Sequence, residues 1–261
     1  MINVNTFLCK PLNFKGICKV YPPTVNEVID NNEYKNWISL LCITQDDLRD
    51  EYGKAEQEGN TLYIPTPLEY LLVNAYHSDE MYQLIVRGIE FFIHENVTIL
   101  PDAKMIVIGN LEEELSKLEK LNFNEEKIED HLRIINEDNY FDFQNTIRES
   151  IGQKIESAPE DWSNLHPKVL QFKLKARERD RVKAKQDAKN APTLSTSLAS
   201  ICCMGIGLNP LNIGEISYAS IQTLISTYQK HEKYEADCRS LMMGADPKKI
   251  GFKYWIRNED D

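Results

Sequence analysis

Apolar side chains along this chain recur mainly at intervals of three and four, the spacing that turns one face of an α-helix toward a core. Tyr34, Trp37, Ile38, Leu41 and Cys42 predict one amphipathic helix. Leu68, Leu71, Leu72, Ala75 and Tyr76 predict another, and Met81, Leu84, Ile85, Ile89, Phe92 and Ile93 continue the pattern after a break at His77 to Asp79. Several helix starts are marked too. Thr24 with Glu27, and Thr66 with Glu69, have the spacing of a capping box, in which the hydroxyl takes one free helix N–H and the glutamate another. Pro67 falls at the first helical position, where its missing N–H costs nothing. Thr44 to Asp47 opens a further helix, expected to end before the polar patch Gly53 to Asn60. Strand-like runs are short. Ile17 to Tyr21 predicts one, stopped by Pro22 and Pro23, while Val97 to Leu100 and Lys104 to Ile108 around Pro101-Asp102-Ala103 predict a hairpin.

Further on, Leu111 to Leu121, Ile128 to Ile135 and Tyr140 to Ile151 read as helices, the last closed by Gly152. Pro159, Pro167 and mixed polar residues place the end of the N-terminal body within 153–167. Lys168 to Lys189 (KVLQFKLKARERDRVKAKQDAK) predicts a basic helix about 33 Å long if helical throughout. Val169, Leu170, Phe172 and Leu174 in its first half are expected to bury against the N-terminal body; beyond Lys175 only Val182 and scattered alanines are apolar. Asn190 to Thr193 breaks it. Leu194 to Gly207 predicts a small-residue helix packed closely on a neighbour, Asn209 to Asn212 a turn, and Ile216 to Met242 one long helix ending near Gly244. Ile250, Phe252, Trp255 and Ile256 give the tail something to dock with. The expected fold is mainly α with a small β-hairpin (α+β): an N-terminal helical domain over 1–164, a basic linker helix over 165–193 and a C-terminal helical domain over 194–261.

Charge sharpens this division. The basic segment holds nine Lys/Arg against three carboxylates, a formal charge of +6, in a chain of net charge −11, so the remainder carries −17. Segregation of this kind suits a connector or a docking rod for an acidic partner. An acidic chain is poorly matched to nucleic acid, whose binding needs a basic surface to release counterions. The six cysteines, at 9, 18, 42, 202, 203 and 238, form no CxxC and no regular framework, as expected of free thiols in a reducing compartment. The opening residues lack the charged start and apolar run of a signal peptide, no stretch approaches the length of a membrane span, and the host cytoplasm is the expected location.

Candidate chemistry is sparse. Gly205-Ile206-Gly207 lacks the third glycine and preceding strand of a dinucleotide turn and reads as a helix end. His94-Glu95 has no second histidine four residues on, and Cys202 and Cys203 point apart on a helix with the nearest histidine, His231, on another element, so no metal is expected. There is no GxSxG elbow, and the pairs Asp46-Asp47 and Glu125-Glu126 read as solvated faces. No catalytic residue and no cofactor are expected. The partner-binding candidates are Arg177, Arg179, Arg181, Lys183 and Lys185 on the basic helix, with Tyr218, Tyr228 and Trp255 beyond it, aromatics being favoured at interfaces.

The C-terminal third combines a basic helix (KLKARERDRVKAKQ), a small-residue helix (SLASICCMGIG), a turn (LNPLNIGEIS), a long helix (YASIQTLISTYQKHEKYEADCRSLMMGAD) and a closing KYWIRN. In this layout, over about residues 165 to 258, it resembles morphogenesis proteins of tailed bacteriophages, and among them the tail assembly chaperones. The resemblance implies a non-enzymatic protein whose C-terminal helical region recruits tape-measure or tail-tube protein. It brings no catalytic residues. A virion structural component is the alternative, as is a nucleic-acid-binding protein using the basic helix and a helix-turn-helix about Asn209-Pro210.

Overall fold

The computed structural model describes residues 2–56, 63–111, 132–157 and 166–252. Among them the fold is mainly helical with two small antiparallel sheets, as the periodicity predicts. The N-terminal part runs α1 (Val4–Phe7), β1 (Leu12–Phe14), β2 (Cys18–Val20), α2 (Val25–Asp30), α3 (Tyr34–Leu41), α4 (Gln45–Glu56), α5 (Pro67–His77), α6 (Asp79–Ile93), β3 (Val97–Leu100), β4 (Met105–Ile108), β5 (Ile134–Ile135) and α7 (Glu137–Ser150). The C-terminal part runs α8 (Pro167–Asn190), α9 (Leu194–Cys203), a 3₁₀ turn (Ile213–Glu215), α10 (Ser220–Met242) and α11 (Pro247–Ile250).

Local signals place the helix starts. Both capping boxes form: the Thr24 hydroxyl accepts from Glu27 N at 3.3 Å while the Glu27 carboxylate takes Thr24 N at 2.7 Å, and Thr66 with Glu69 repeats the exchange. Ser78 accepts from Met81 N, so the break at 77–79 is the N-cap of α6. Helix α4 extends through Glu56, past the point where Gly53 was expected to stop it. Leu111 to Leu121 lies almost wholly outside the described residues, as do Trp255 and Ile256.

The main core joins the inner faces of α3, α5, α6 and α7 to both sheets. Phe92, Phe143, Ile89, Ile106 and Ile135 are sealed from solvent within it. Chain order in the larger sheet is β3-β4-β5, with Val97 opposite Ile108 and Ile106 opposite Ile135. Ile134–Ile135, expected at the end of a helix, is therefore a strand: the β4 edge offers it a ladder, and pairing outweighs a helical apolar spacing. Helices α3 and α6 cross where Gly88 leaves room for Trp37; a Cβ there would lie 2.9 Å from the indole Cδ1.

A buried polar knot fastens α7 to α3. The last carbonyls of a helix have no partner within it and carry its negative end. Here Gln144 Nε2 donates to Leu41 O at 2.8 Å and to Ile43 O at 2.7 Å, and the Arg148 guanidinium donates to Cys42 O. Arg148 is buried and its charge is met by Glu156 at 3.5 Å.

A second, smaller core gathers Val25 of α2 with Ile201, Ile213 and Ile221 from the C-terminal part. Its seam is a fragment of antiparallel pairing: Val25 N donates to Ile216 O at 3.0 Å and Tyr218 N to Pro23 O at 2.9 Å, flanking a Thr24–Ser217 bridge. This pairing claims residues 216–218, so α10 starts at Ser220 instead of at Ile216. Gly214 lets the 3₁₀ turn touch α2, since a Cβ there would lie 2.0 Å from Asn26 Oδ1.

Candidate partner-binding surface

The basic segment is one helix of 24 residues, α8, close to 36 Å long at 1.5 Å per residue. His166 caps it, its ring nitrogen accepting from Lys168 N at 3.3 Å, and Pro167 occupies the first turn. No glycine or internal proline interrupts it before Ala191-Pro192.

Its contact with the body differs from the sequence expectation. Val169 is 44% exposed and Phe172 68% exposed, so neither buries against the N-terminal body; the side chains of Leu170 and Leu174 lie outside the described residues. The attachment is polar instead. Arg177 reaches Asp46 of α4 at 2.5 Å with its side chain largely covered, and Lys173 on the same side is half-buried. Helical geometry explains the difference, because Phe172 and Arg177 are five residues, about 140°, apart on the cylinder. Seating Arg177 on α4 turns Phe172 toward solvent.

Of the other candidates on α8, Arg179 and Lys183 are exposed, while the side chains of Arg181 and Lys185 lie outside the described residues. Tyr218 is not on a free surface. Its ring packs edge-on against Tyr34 and touches both cores, which makes it a joint between the two parts of the molecule. Tyr228 is half-buried on α10 and donates to Glu232 one turn on, which raises its pKa. Trp255 lies outside the described residues.

Helix α10, 23 residues long, packs its first turns against α9 through Ile221, Leu224 and Ile225. Beyond them no residue of the helix is buried, and the chain folds back so that Phe252 meets Tyr234 at 5.5 Å. Met242 and Met243 at its end are 89% and 86% exposed, and Leu211 in the preceding turn is 94% exposed.

The remaining candidates resolve into local roles. Gly205 and Gly207 have positive φ just past α9, as a helix end requires. His94 is the left-handed cap of α6 and stacks on Tyr21 with ring centroids 4.2 Å apart. The Asp47 carboxylate accepts from the Thr44 hydroxyl at 2.6 Å, whereas Asp46 holds Arg177; sequence reading missed that second role because the partner lies far along the chain. Cys203 is exposed and Cys202 half-buried.

A cleft of about 540 Å³ beside α5 is lined by Tyr52, Tyr63, Tyr70 and Tyr76. At its rim Glu69 accepts from the Tyr63 hydroxyl at 2.6 Å and from Lys104 Nζ at 3.0 Å, which together hold its carboxyl below the usual range. Among the described residues no three His, Cys, Asp or Glu side chains gather as a metal site, and no helix is long and apolar enough to cross a membrane. No family model, no curated protein and no solved structure matches the chain.

Proposed function

We propose that this chain is a non-enzymatic tail-morphogenesis protein, chaperone-like in action, that works in the host cytoplasm by holding a phage tail protein such as the tape measure or tail tube. The observation that carries the reading is the contrast in exposure between the two parts. The N-terminal part gathers a large core from four helices and both sheets, with Val4, Tyr63 and Tyr76 among the apolar side chains left outside it. The C-terminal part, joined to it by a small second core, presents two helices of 24 and 23 residues in which, among the described side chains, only Ser220 and Ile221 are buried. Long exposed helices with few buried residues of their own are suited to gaining partners along their length. The layout of the C-terminal third, resembling tail assembly chaperones, supplies the partner class.

A virion structural component draws on the same surfaces and differs only in staying with the particle. Nucleic-acid binding is the weaker reading. The N-terminal residues of a recognition helix must reach base edges, but Ser220 and Ile221 are buried and no Arg or Lys precedes Lys230 on α10.

Co-expression of the full chain with the products of adjacent tail genes, followed by gel filtration, tests the proposal. A tape-measure or tail-tube protein co-eluting with the chain is expected. Separate elution of every such product would overturn it.

A further inference from the structure

The outward side of α8 is more ordered than its composition suggests. At 100° per residue, Lys168, Lys175, Arg179, Lys183 and Lys189 all fall within about 60° of a single line along the helix. All five are exposed, and none forms an ion pair with another described residue. The three acids of the segment, Glu178, Asp180 and Asp187, occupy positions outside that arc. Arg177, which does engage a carboxylate, sits on the opposite side, against α4. The stripe runs about 32 Å, and Lys175, Arg179 and Lys183 repeat every 6 Å or so, one per turn. Two apolar side chains, Phe172 and Val182, stand exposed within it.

We infer that this stripe is a docking surface for an acidic protein segment that lies along α8 as a helix, its carboxylates recurring every three or four residues. Charge complementarity sets the sign of the partner, and the one-per-turn spacing of the cations matches the carboxylate ladder of a second helix. Phe172 and Val182 supply apolar contact between the charges. The residues outside the basic segment together carry −17 and repel a polyphosphate brought alongside. A helix lying on a bilayer needs an apolar face separate from its cationic one, whereas here Phe172 and Val182 share the face of the cations. The same feature occurs inside the molecule in miniature: the inner side of α8 is held by Asp46 on an acidic first turn of α4.

The inference rests on the proposed function only for the partner being a protein, and the two can fail separately. A tail-protein complex unaffected by changes in the stripe would remove this inference and leave the function standing. Peptide binding through the stripe with no tail-protein complex would do the reverse.

The test measures fluorescence anisotropy of the full chain with three probes: a labelled helical peptide with Glu at successive i and i+4 positions in an alanine background, a short DNA duplex, and phosphatidylglycerol-containing vesicles. The peptide is expected to bind most tightly, and to weaken as salt rises from about 50 to 300 mM. Lys175→Glu/Arg179→Glu/Lys183→Glu should cost on the order of tenfold or more in affinity, by summing surface charge pairs. Lys10→Glu/Lys35→Glu/Lys248→Glu, an equal change in net charge at exposed lysines elsewhere, should cost less than about twofold. The milder Lys175→Gln/Arg179→Gln/Lys183→Gln variant should fall between and covers misfolding of the reversal. Equal losses in the two charge-reversal variants, tighter binding of duplex or vesicles, or no peptide binding would each overturn the inference.

Discussion

Tyr34 and Tyr218 meet edge to face, ring centroids 5.8 Å apart and planes at 70°, across the seam between the two parts of the chain. The contact puts Tyr34 in an apolar setting, where its hydroxyl is buried and finds no hydrogen-bond partner among the described residues. Burial also pushes the phenol pKa well above its ordinary value. An orphaned buried donor costs about 1–3 kcal/mol, so Tyr34→Phe should leave stability unchanged or raise it by about 1 kcal/mol. Tyr34→Ala, which deletes the ring, should cost about 3 kcal/mol or more. Urea midpoints of the three proteins decide this; a marked loss in the phenylalanine variant would mean that the hydroxyl is satisfied.

Gly152 ends α7 at φ +72°, and a Cβ there would lie 2.9 Å from the Cβ of Ala219. Gly205 shares the left-handed backbone, at φ +70°, but opens onto empty space. The pair separates backbone strain from crowding. Gly205→Ala should cost about 1–2 kcal/mol, the left-handed penalty alone. Gly152→Ala should cost at least about 1 kcal/mol more, because Ala219 is itself buried and cannot retreat freely. Equal midpoints for the two variants would show that the seam yields.

Much of this framework was legible in the sequence where signal and consequence sit a few residues apart. The capping boxes at Thr24 and Thr66, the hairpin around Pro101 and the helix spacing of α3, α5 and α6 are of this kind. The failures share a cause. Ile134–Ile135 became a strand through β4, Ile216 to Tyr218 became extended through Pro23 and Val25, and Phe172 was turned outward by the pairing of Arg177 with Asp46. Each depends on a partner remote in sequence, which local periodicity does not encode. The candidate surface was visible as charge. Which cations face outward was not, since that follows from the side of α8 that Asp46 holds.

Thiol chemistry should report the same burial. Desolvation pushes the Cys18 thiol up to about 12, with Glu95 adding to it, and the Cys42 thiol up to about 11. Both raised values favour the neutral thiol in the folded state. Stability from this source is complete below the ordinary thiol pKa near 9 and declines as pH rises from there through about 11 to 12, since only the unfolded chain ionises freely. Iodoacetamide at pH 8 should label the exposed Cys203 and spare Cys18 and Cys42 until denaturant is added, as peptide mapping would reveal. Rapid labelling of Cys18 in the native protein would contradict the packing.

The bridge between Thr24 and Ser217 has a consequence for how the protein comes into being. Val25 is made well before Ile201, Ile213 and Ile221, which cover it, leave the ribosome. During synthesis, therefore, the Pro23-to-Val25 edge and its unpaired amide stand open while the main core is already able to close. Domains fold largely in order of emergence, and here residues 23 to 25 wait for residues 201 to 221. A product that stops short of Ile201 therefore keeps an uncovered apolar edge, which only synthesis through Ile221 buries.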